Sequence, residues 1–141
     1  MSSEITELST SECEVLLASV HVGRIAVVDD GYPLVFPINF KVDFSSGRAT
    51  IAIRTRPDNV IDTVGRMVCF EIDGVDPSGD GGWSVLVRGV LVETLPDSDL
   101  DPQPIATENR DAWRVIVPTS VTGRRVRNRA ERWSFHPAGY L

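Results

Sequence analysis

Apolar and polar residues alternate along much of this chain, which is the pattern of strands that bury one face. Clusters of glycine, proline, aspartate and serine separate the alternating segments and are typical of turns. Six strands are predicted, at residues 21–28, 34–42, 49–55, 67–73, 83–94 and 113–117. We therefore expect a mainly β fold with short helices. Gly89 would allow a bulge or bend in the long fifth strand, which favours a small closed barrel over a sandwich.

Two short helices are predicted beside the strands. The first covers residues 11–19, where Ser9 and Glu12 have the spacing of a capping box. The second covers residues 58–66, because apolar residues recur there at helical spacing and Pro57 suits a first helical turn.

The second predicted strand is interrupted. It follows a hairpin turn predicted at Asp30 and Gly31, and it contains Pro37, which cannot donate to a sheet ladder. Pro37 therefore places this strand at an edge, at a bulge or at a kink that faces a ligand. The polar Asn39 ends the apolar run. If Pro37 marks a kink that faces a ligand, this interruption turns backbone groups toward a planar ligand.

Composition and length are those of one globular domain. The chain has 141 residues, of which 42% are hydrophobic and 24% charged. We expect a core at residues 9–126 and an arginine-rich tail at residues 127–141. No apolar run is long enough for a membrane helix, and the N-terminus lacks an apolar signal core, so a cytoplasmic location is expected. Cys13 and Cys69 match no disulfide or metal spacing and are expected as reduced thiols.

The charged residues indicate what the chain could bind. All but one of its 14 basic residues are arginines, the exception being Lys41, so arginine forks are the expected ligands of any phosphate or carboxylate. A net charge of -6 makes the whole chain a poor ligand for nucleic acid. RNA binding by the arginines of residues 124–132 is kept as an alternative to a solvated or interface-bound segment.

Signatures of self-contained catalysis are absent from the sequence. His21 and His136 have no partners at metal-ligand spacing, so no metal site is expected. There is no nucleophile elbow, P-loop or zinc-protease motif. A reaction on this chain would therefore need a bound cofactor.

One candidate anion site lies where the third predicted strand meets the second predicted helix. A helix N-terminus offers unpaired amides, and the side chains of Arg54 and Thr55 beside it would complete an oxyanion site. The other interpretation is an exposed arginine next to an ordinary helix cap, and composition leaves both open.

The order of the motifs then resembles a known family. The succession GRIAVVDDGYPLVFPINF, ATIAIRT, MVCFEID and GWSVLVRGVLVE, over residues 9–126, resembles the flavin-binding split-barrel family that includes pyridoxamine 5'-phosphate oxidase. The segment PTSVTGRRV is similar to the closing strand of the small actinobacterial-type branch.

The resemblance implies a six-stranded split barrel that forms a two-fold homodimer, with FMN at the interface and a small-molecule substrate over the flavin. It implies eight cofactor-binding positions: Pro37, Ile38 and Asn39 along the isoalloxazine ring, Arg54, Thr55 and Asn59 at the phosphate, and Trp83 and Ser84 near the ring from across the dimer. No catalytic residue is assigned.

The chain departs from the family pattern at Val60, where many members carry lysine or arginine, although Arg56 lies close enough in sequence to compensate. The leading hypothesis is an FMN-dependent oxidoreductase. The alternatives are a reductase that uses the 5-deazaflavin coenzyme F-420 and a non-catalytic flavin-binding protein. Haem, which some relatives bind, would need His21 or His136 as a ligand and ranks below these. We do not expect pyridoxamine 5'-phosphate oxidase activity, because that enzyme is longer and uses additional basic residues.

Overall fold

The fold is mainly β, as expected, and the computed structural model describes it for residues 3–103 and 111–128. The elements in chain order are β1 (Ser3–Glu7), α1 (Thr10–Ser19), β2 (Val22–Asp29), β3 (Tyr32–Asn39), β4 (Lys41–Asp43), β5 (Thr50–Thr55), β6 (Met67–Val75), β7 (Gly81–Glu93), a 3-10 turn (Ser98–Leu100) and β8 (Ala112–Asn128). All six predicted strands are present. The described residues form eight, because the second predicted strand divides in two and β1 was not predicted.

The strands form one antiparallel sheet in the order β3-β2-β6-β7-β8-β5-β4, with β1 paired to β8. The two ends of this order are neighbours in the chain, because only Phe40 separates β3 from β4. The sheet therefore has to curl until its edges approach each other, which gives the split-barrel shape. This closure explains why the second predicted strand is divided at Phe40.

Residues on the inner face of the curled sheet form the core. Burial alternates along β2 and β6, where Ile25, Val27, Phe70 and Ile72 are buried between more exposed neighbours. Phe40 is also buried, and its ring meets that of Phe70 edge to face at 4.8 Å between centroids. The residue at the strand division is thus held in place by the core.

Helix α1 covers one end of the barrel and begins one residue earlier than predicted. Ser9 Oγ accepts from the Glu12 backbone N–H at 3.1 Å, and Glu12 Oε1 accepts from the Ser9 N–H at 3.3 Å, which confirms the predicted capping box. Cys13 and Leu17 are the buried residues of the helix. Both cysteines of the chain are free.

Two turns of the chain confirm local predictions. Asp30 and Gly31 both have positive φ, at 50° and 78°, as a tight hairpin turn between β2 and β3 requires. The register of β7 against β8 shifts between Arg88 and Gly89, which is the predicted irregularity.

The predicted helix at residues 58–66 is wrong, since the structure has successive turns there. The Asn59 carboxamide oxygen accepts from the backbone N–H groups of Ile61 and Asp62, at 2.9 and 3.0 Å, and so competes with helical hydrogen bonding. Asp58 and Gly65 have positive φ, which a helix cannot accommodate. The helix N-terminus that the anion-site hypothesis needed is therefore not formed.

Strand β8 is much longer than predicted and extends through Asn128, so it includes the first two residues assigned to the tail. Its arginines face acids on β1: Arg127 lies opposite Glu4, and Arg124 lies opposite Glu7. Opposite charges at facing positions of an antiparallel pair favour the pairing of β1 with β8. The rest of the tail, from residue 129 and including His136, lies outside the described residues.

Within residues 3–103 and 111–128, no helix is long and apolar enough to cross a membrane. The same residues contain no group of three or more His, Cys, Asp or Glu side chains placed to hold a metal ion.

Candidate functional site

Polar side chains from three strands meet on the outer face of the barrel where β3 ends and β4, β5 and β8 lie side by side. We call this place the Arg54 groove and define it by Asn39, Lys41, Arg54 and Trp113. A cavity of about 470 Å³ adjoins it, lined by Trp113, by residues of β4, β5 and β8, and by the segment after β7. The segment that crosses the groove, residues 97–103, is called the strap.

Arg54 lies on the outer face of β5, directly opposite Trp113 of β8. Its guanidinium carbon is 4.8 Å from the centroid of the Trp113 ring, a cation–π contact between cross-strand neighbours. Arg54 Nη1 donates to both carboxylate oxygens of Asp101, at 3.0 and 3.2 Å. The guanidinium is thus fixed by a ring on one side and an acid of the strap on the other.

The Asp101 carboxylate has further donors within the strap. It accepts from the Gln103 backbone N–H at 3.0 Å and from Gln103 Nε2 at 3.2 Å. The Gln103 N–H, together with the Arg54 guanidinium, lowers the pKa of the Asp101 carboxyl below its usual value. Asp101 is therefore an anion at neutral pH.

Asn39 closes the other side of the groove. Its Nδ2 donates to the Gln103 carbonyl oxygen at 2.5 Å. Its Oδ1 is buried and accepts no hydrogen bond from the described residues. A buried acceptor without a donor is costly, so this oxygen is suited to a donor from a ligand.

Strand β3 presents an open edge next to Asn39. It stands at the end of the strand order, which is one of the three placements that Pro37 allowed. The Phe40 N–H donates to the His21 backbone carbonyl oxygen at 3.1 Å. By the alternation of an antiparallel ladder, the backbone groups of Pro37 and Asn39 therefore face away from β2. Pro37 therefore removes no ladder bond, while Ile38 turns its side chain into the core.

Two of the predicted phosphate-binding residues, Thr55 and Asn59, form hydrogen bonds with each other and with the following turn. Thr55 is 1% exposed, and its Oγ1 donates to Asn59 Oδ1 at 3.2 Å. The same Asn59 oxygen also accepts the two backbone N–H groups of the following turn. Val60, the departure from the family pattern, packs against the core, and Arg56 is exposed.

The predicted residues Trp83 and Ser84 lie away from the groove. Their positions on β7 alternate, so Trp83 packs against the core and over Gly74, while Ser84 faces outward. Ser84 is three strands from Asn39 across the sheet, roughly 14 Å at normal strand spacing. The chain brings together the regions of Asn39 and Arg54 but not the region of Trp83.

Sequence reasoning missed Lys41 and Trp113 of the groove and Asp101 of the strap. Lys41 Nζ donates to the Asp99 carbonyl oxygen of the strap at 3.4 Å. The available signals were that Lys41 is the one lysine of the chain and that Trp113 begins a predicted strand. Asp101 gave no signal, because its role depends on where a proline- and aspartate-rich loop folds back.

A second surface adjoins the groove on the outer face of β3, β2 and β6. Arg24 lies opposite both Pro37 and Glu71, and its Nη1 is 3.3 Å from Glu71 and 3.5 Å from Asp73. Burial, reinforced by Asp73, raises the pKa of Glu71 to about 7 despite the nearby arginine. Exposed apolar side chains surround this charge cluster: Val22, Val28, Val35 and Met67.

Comparison with known proteins places these features in a family. Residues 9–131 match the protein family described as pyridoxamine 5'-phosphate oxidase. The structure is similar to that of the FAD binding protein from Mycobacterium smegmatis, with 35% identity, a TM-score of 0.66, and coverage of 86% of this chain and 98% of that one. A conserved protein of unknown function from Corynebacterium diphtheriae has 28% identity, a TM-score of 0.68, and coverage of 85% and 96%.

The uncharacterised protein Rv0080 from Mycobacterium tuberculosis is 30% identical, in an alignment that covers 87% of this chain and 86% of that protein. The family match spans most of the chain, and the curled antiparallel sheet agrees with the solved relatives. This chain therefore belongs to the pyridoxamine 5'-phosphate oxidase family of split-barrel proteins.

Proposed function

We propose that this protein binds a flavin in the Arg54 groove and acts as a flavin-dependent oxidoreductase on a small molecule. The observation that carries the proposal is that three features lie on one outer face: a fixed arginine, an Asn39 oxygen that accepts no hydrogen bond from the described residues, and an open strand edge. The similarity to an FAD binding protein at 35% identity supports a flavin as the ligand.

The residues of the groove fit the part that FMN and FAD share. That part has a phosphate, a hydroxylated ribityl chain and a flat ring. Arg54 supplies a guanidinium for the phosphate, and Asn39 Oδ1 supplies an acceptor for a ribityl hydroxyl. The free edge of β3 at Pro37 offers backbone groups to the polar rim of the ring. FMN is the proposed cofactor, and FAD, which contains the same part, is the alternative to be tested beside it.

A bound flavin would supply hydride or electron transfer, which the side chains of this protein cannot perform. The groove contributes binding and orientation. Arg54, stacked on Trp113, would balance the phosphate charge with a guanidinium that is held in place. The described groove holds no histidine that could move a proton, so we assign no residue to acid-base catalysis.

We also propose a homodimer that uses the outer face of β3, β2 and β6. This face combines the apolar side chains around Arg24 with that charge cluster, and a two-fold contact can pair an arginine with acids of the other copy. Asn39 lies at one corner of the face, so the partner would approach the groove. Trp83 and Ser84 would reach a flavin only from that partner.

A second candidate function is reduction with coenzyme F-420. The observation in its favour is the set of exposed arginines on β8, Arg124 and Arg127, which suits the long acidic tail of that coenzyme. A flavin-binding protein without turnover is the third reading, because the described residues of the groove include no histidine that could move a proton.

Titration of the purified protein tests the proposal. We expect FMN or FAD to saturate at one per subunit in absorbance and fluorescence. Arg54→Ala should raise the dissociation constant at least about tenfold, because a charge-assisted hydrogen bond is lost. Arg66→Ala is the control, since Arg66 is exposed at the far end of the following loop.

The proposal fails if no flavin binds, or if Arg54→Ala leaves the affinity unchanged. Saturation by coenzyme F-420 alone would favour the second candidate. Bound flavin that, once reduced, is reoxidised by none of a panel of quinones and nitro compounds would favour binding without turnover.

A further inference from the structure

The strap contacts all three polar side chains that come from the strands of the Arg54 groove. Lys41 donates to the Asp99 carbonyl, Asn39 to the Gln103 carbonyl, and Arg54 to the Asp101 carboxylate. The first two contacts use backbone oxygens of the strap. The third uses a side-chain anion, so among these three contacts it is the one that neutralises a positive charge that a ligand would need.

Asp101 is bound as a ligand oxyanion would be. Each of its two oxygens accepts from Arg54 Nη1 and each accepts from Gln103, with all four distances between 3.0 and 3.2 Å. Gln103 has a φ of 49°, in the left-handed region, so the strap adopts a strained backbone while it makes these bonds. Guanidinium and backbone N–H groups are also the donors that hold phosphates in proteins.

We propose that Asp101 occupies the position of a ligand phosphate and competes with it for Arg54, so that the strap lowers the affinity for phosphorylated flavins. This inference rests on the proposed function. Flavin phosphate and Asp101 are both anions, and their mutual repulsion means that one guanidinium cannot serve both fully. The phosphate therefore has to displace Asp101.

The competition is confined to the phosphate. Asn39 contacts the strap through Nδ2, and within the described residues its Oδ1 accepts no hydrogen bond and so stays available to a ligand donor. The Gln103 carbonyl thus orients the Asn39 amide for the ribityl chain rather than blocking it. A flavin without phosphate should bind the groove without disturbing Asp101.

The experiment compares FMN with riboflavin, which has no phosphate, on four proteins. These are the wild type, Asp101→Asn, Asp101→Ser as a second variant, and Asp99→Asn as the control. Asp99 is an exposed acid of the same strap that contacts the groove only through its backbone oxygen. Circular dichroism establishes that each variant is folded, and calorimetric titration gives each dissociation constant.

We expect both Asp101 variants to bind FMN about tenfold more tightly than the wild type, a difference of about 1.4 kcal/mol. Riboflavin affinity should change less than about twofold in every variant, and Asp99→Asn should bind FMN nearly as the wild type does. Unchanged or weaker FMN binding in both Asp101 variants would overturn the proposal, and weaker binding would make Asp101 a positioning residue for Arg54.

A second readout does not depend on flavin. Inorganic phosphate should raise the melting temperature of Asp101→Asn more than that of the wild type, and Arg54→Ala should abolish this difference. If flavins fail to bind but phosphate behaves in this way, the proposed function is wrong and the competition at Arg54 stands. If flavins bind and phosphate stabilises both proteins equally, the competition is wrong.

Discussion

At the scale of single residues, an ion pair between Asp62 and Arg114 holds the segment after β5, where the predicted helix does not form. Arg114 Nε is 2.7 Å from Asp62 Oδ1, Nη2 is 3.2 Å from Oδ2, and the side chains are only 14% and 8% exposed. The two-pronged pair ties the turns at residues 56–66 to β8. Its hydrogen bonds lower the pKa of Asp62 and raise that of Arg114.

Asp62→Asn should lower the free energy of unfolding by about 3 kcal/mol at neutral pH, because it leaves an enclosed guanidinium without its anion. The folded-state pKa of Asp62 lies below its unfolded value of 3.8. The stabilisation is therefore complete above that value and is lost as pH falls through the folded-state pKa. Urea unfolding of both proteins at neutral pH and in acid measures the difference, which should shrink in acid.

Asp76→Asn is the matched control for this pair. Asp76 is 2.8 Å from Arg125, but both side chains are more exposed, at 23% and 28%. Its loss should cost about 1 kcal/mol or less, as for exposed ion pairs. Equal losses in the two variants would show that burial does not strengthen the Asp62 pair.

At the scale of elements, prediction succeeded where local sequence decides the structure. The capping box sets the start of α1, and the Asp30-Gly31 turn sets the first hairpin. Prediction failed where a side chain accepts the backbone hydrogen bonds of a helix, or where the paired strand is distant in sequence. Asn59 accepts the amide hydrogen bonds that a helix would need, and β1 pairs with residues at the far end of the described chain.

The same distinction holds for the candidate site. Pro37 could be singled out because it interrupts a strand, and Arg54 because it stands at a strand end before a predicted helix, although that helix does not form. Both lie at the groove or on its edge strand. Asp101 and Trp113 could not, because strand register and the return of a long loop bring them to Arg54. Residues whose role depends on tertiary pairing leave little signal in one sequence.

The pairing of β7 with β8 requires glycine at position 81, where the two strands approach closely. A Cβ on Gly81 would lie 1.9 Å from the Val126 carbonyl oxygen, which belongs to the paired strand and cannot move alone. Gly81→Ala should therefore lower the free energy of unfolding by at least about 2 kcal/mol, measured by urea denaturation.

Gly47→Ala is the control, because it measures backbone strain without the steric contact that a Cβ at Gly81 would make. Gly47 has a φ of 83° with no atom near its Cβ position, so its variant should cost about 1 kcal/mol from strain alone. A smaller loss at Gly81 than at Gly47 would contradict the close approach of β7 and β8.

At the scale of the whole molecule, the outer face of β3, β2 and β6 gives the proposed dimer a physical basis. In the middle row of this face Val35 lies opposite Ala26, and Ala26 lies opposite Cys69. Val35 is 61% exposed and Met67 is 85% exposed. Apolar side chains grouped on one face of a sheet are typical of surfaces that a partner covers.

Val35→Lys tests this face, because a lysine at the middle row would have to lose its hydration inside the dimer. We expect the wild type to sediment as a dimer and the variant to dissociate with a constant at least about a hundredfold higher. Lysine is well tolerated on an exposed edge strand, so the monomer should remain folded. Val15→Lys on α1 is the control, since Val15 is 69% exposed but lies outside the face. A monomeric wild type, or equal dissociation of both variants, would remove this face from the interface and with it the route by which Trp83 and Ser84 could reach the groove.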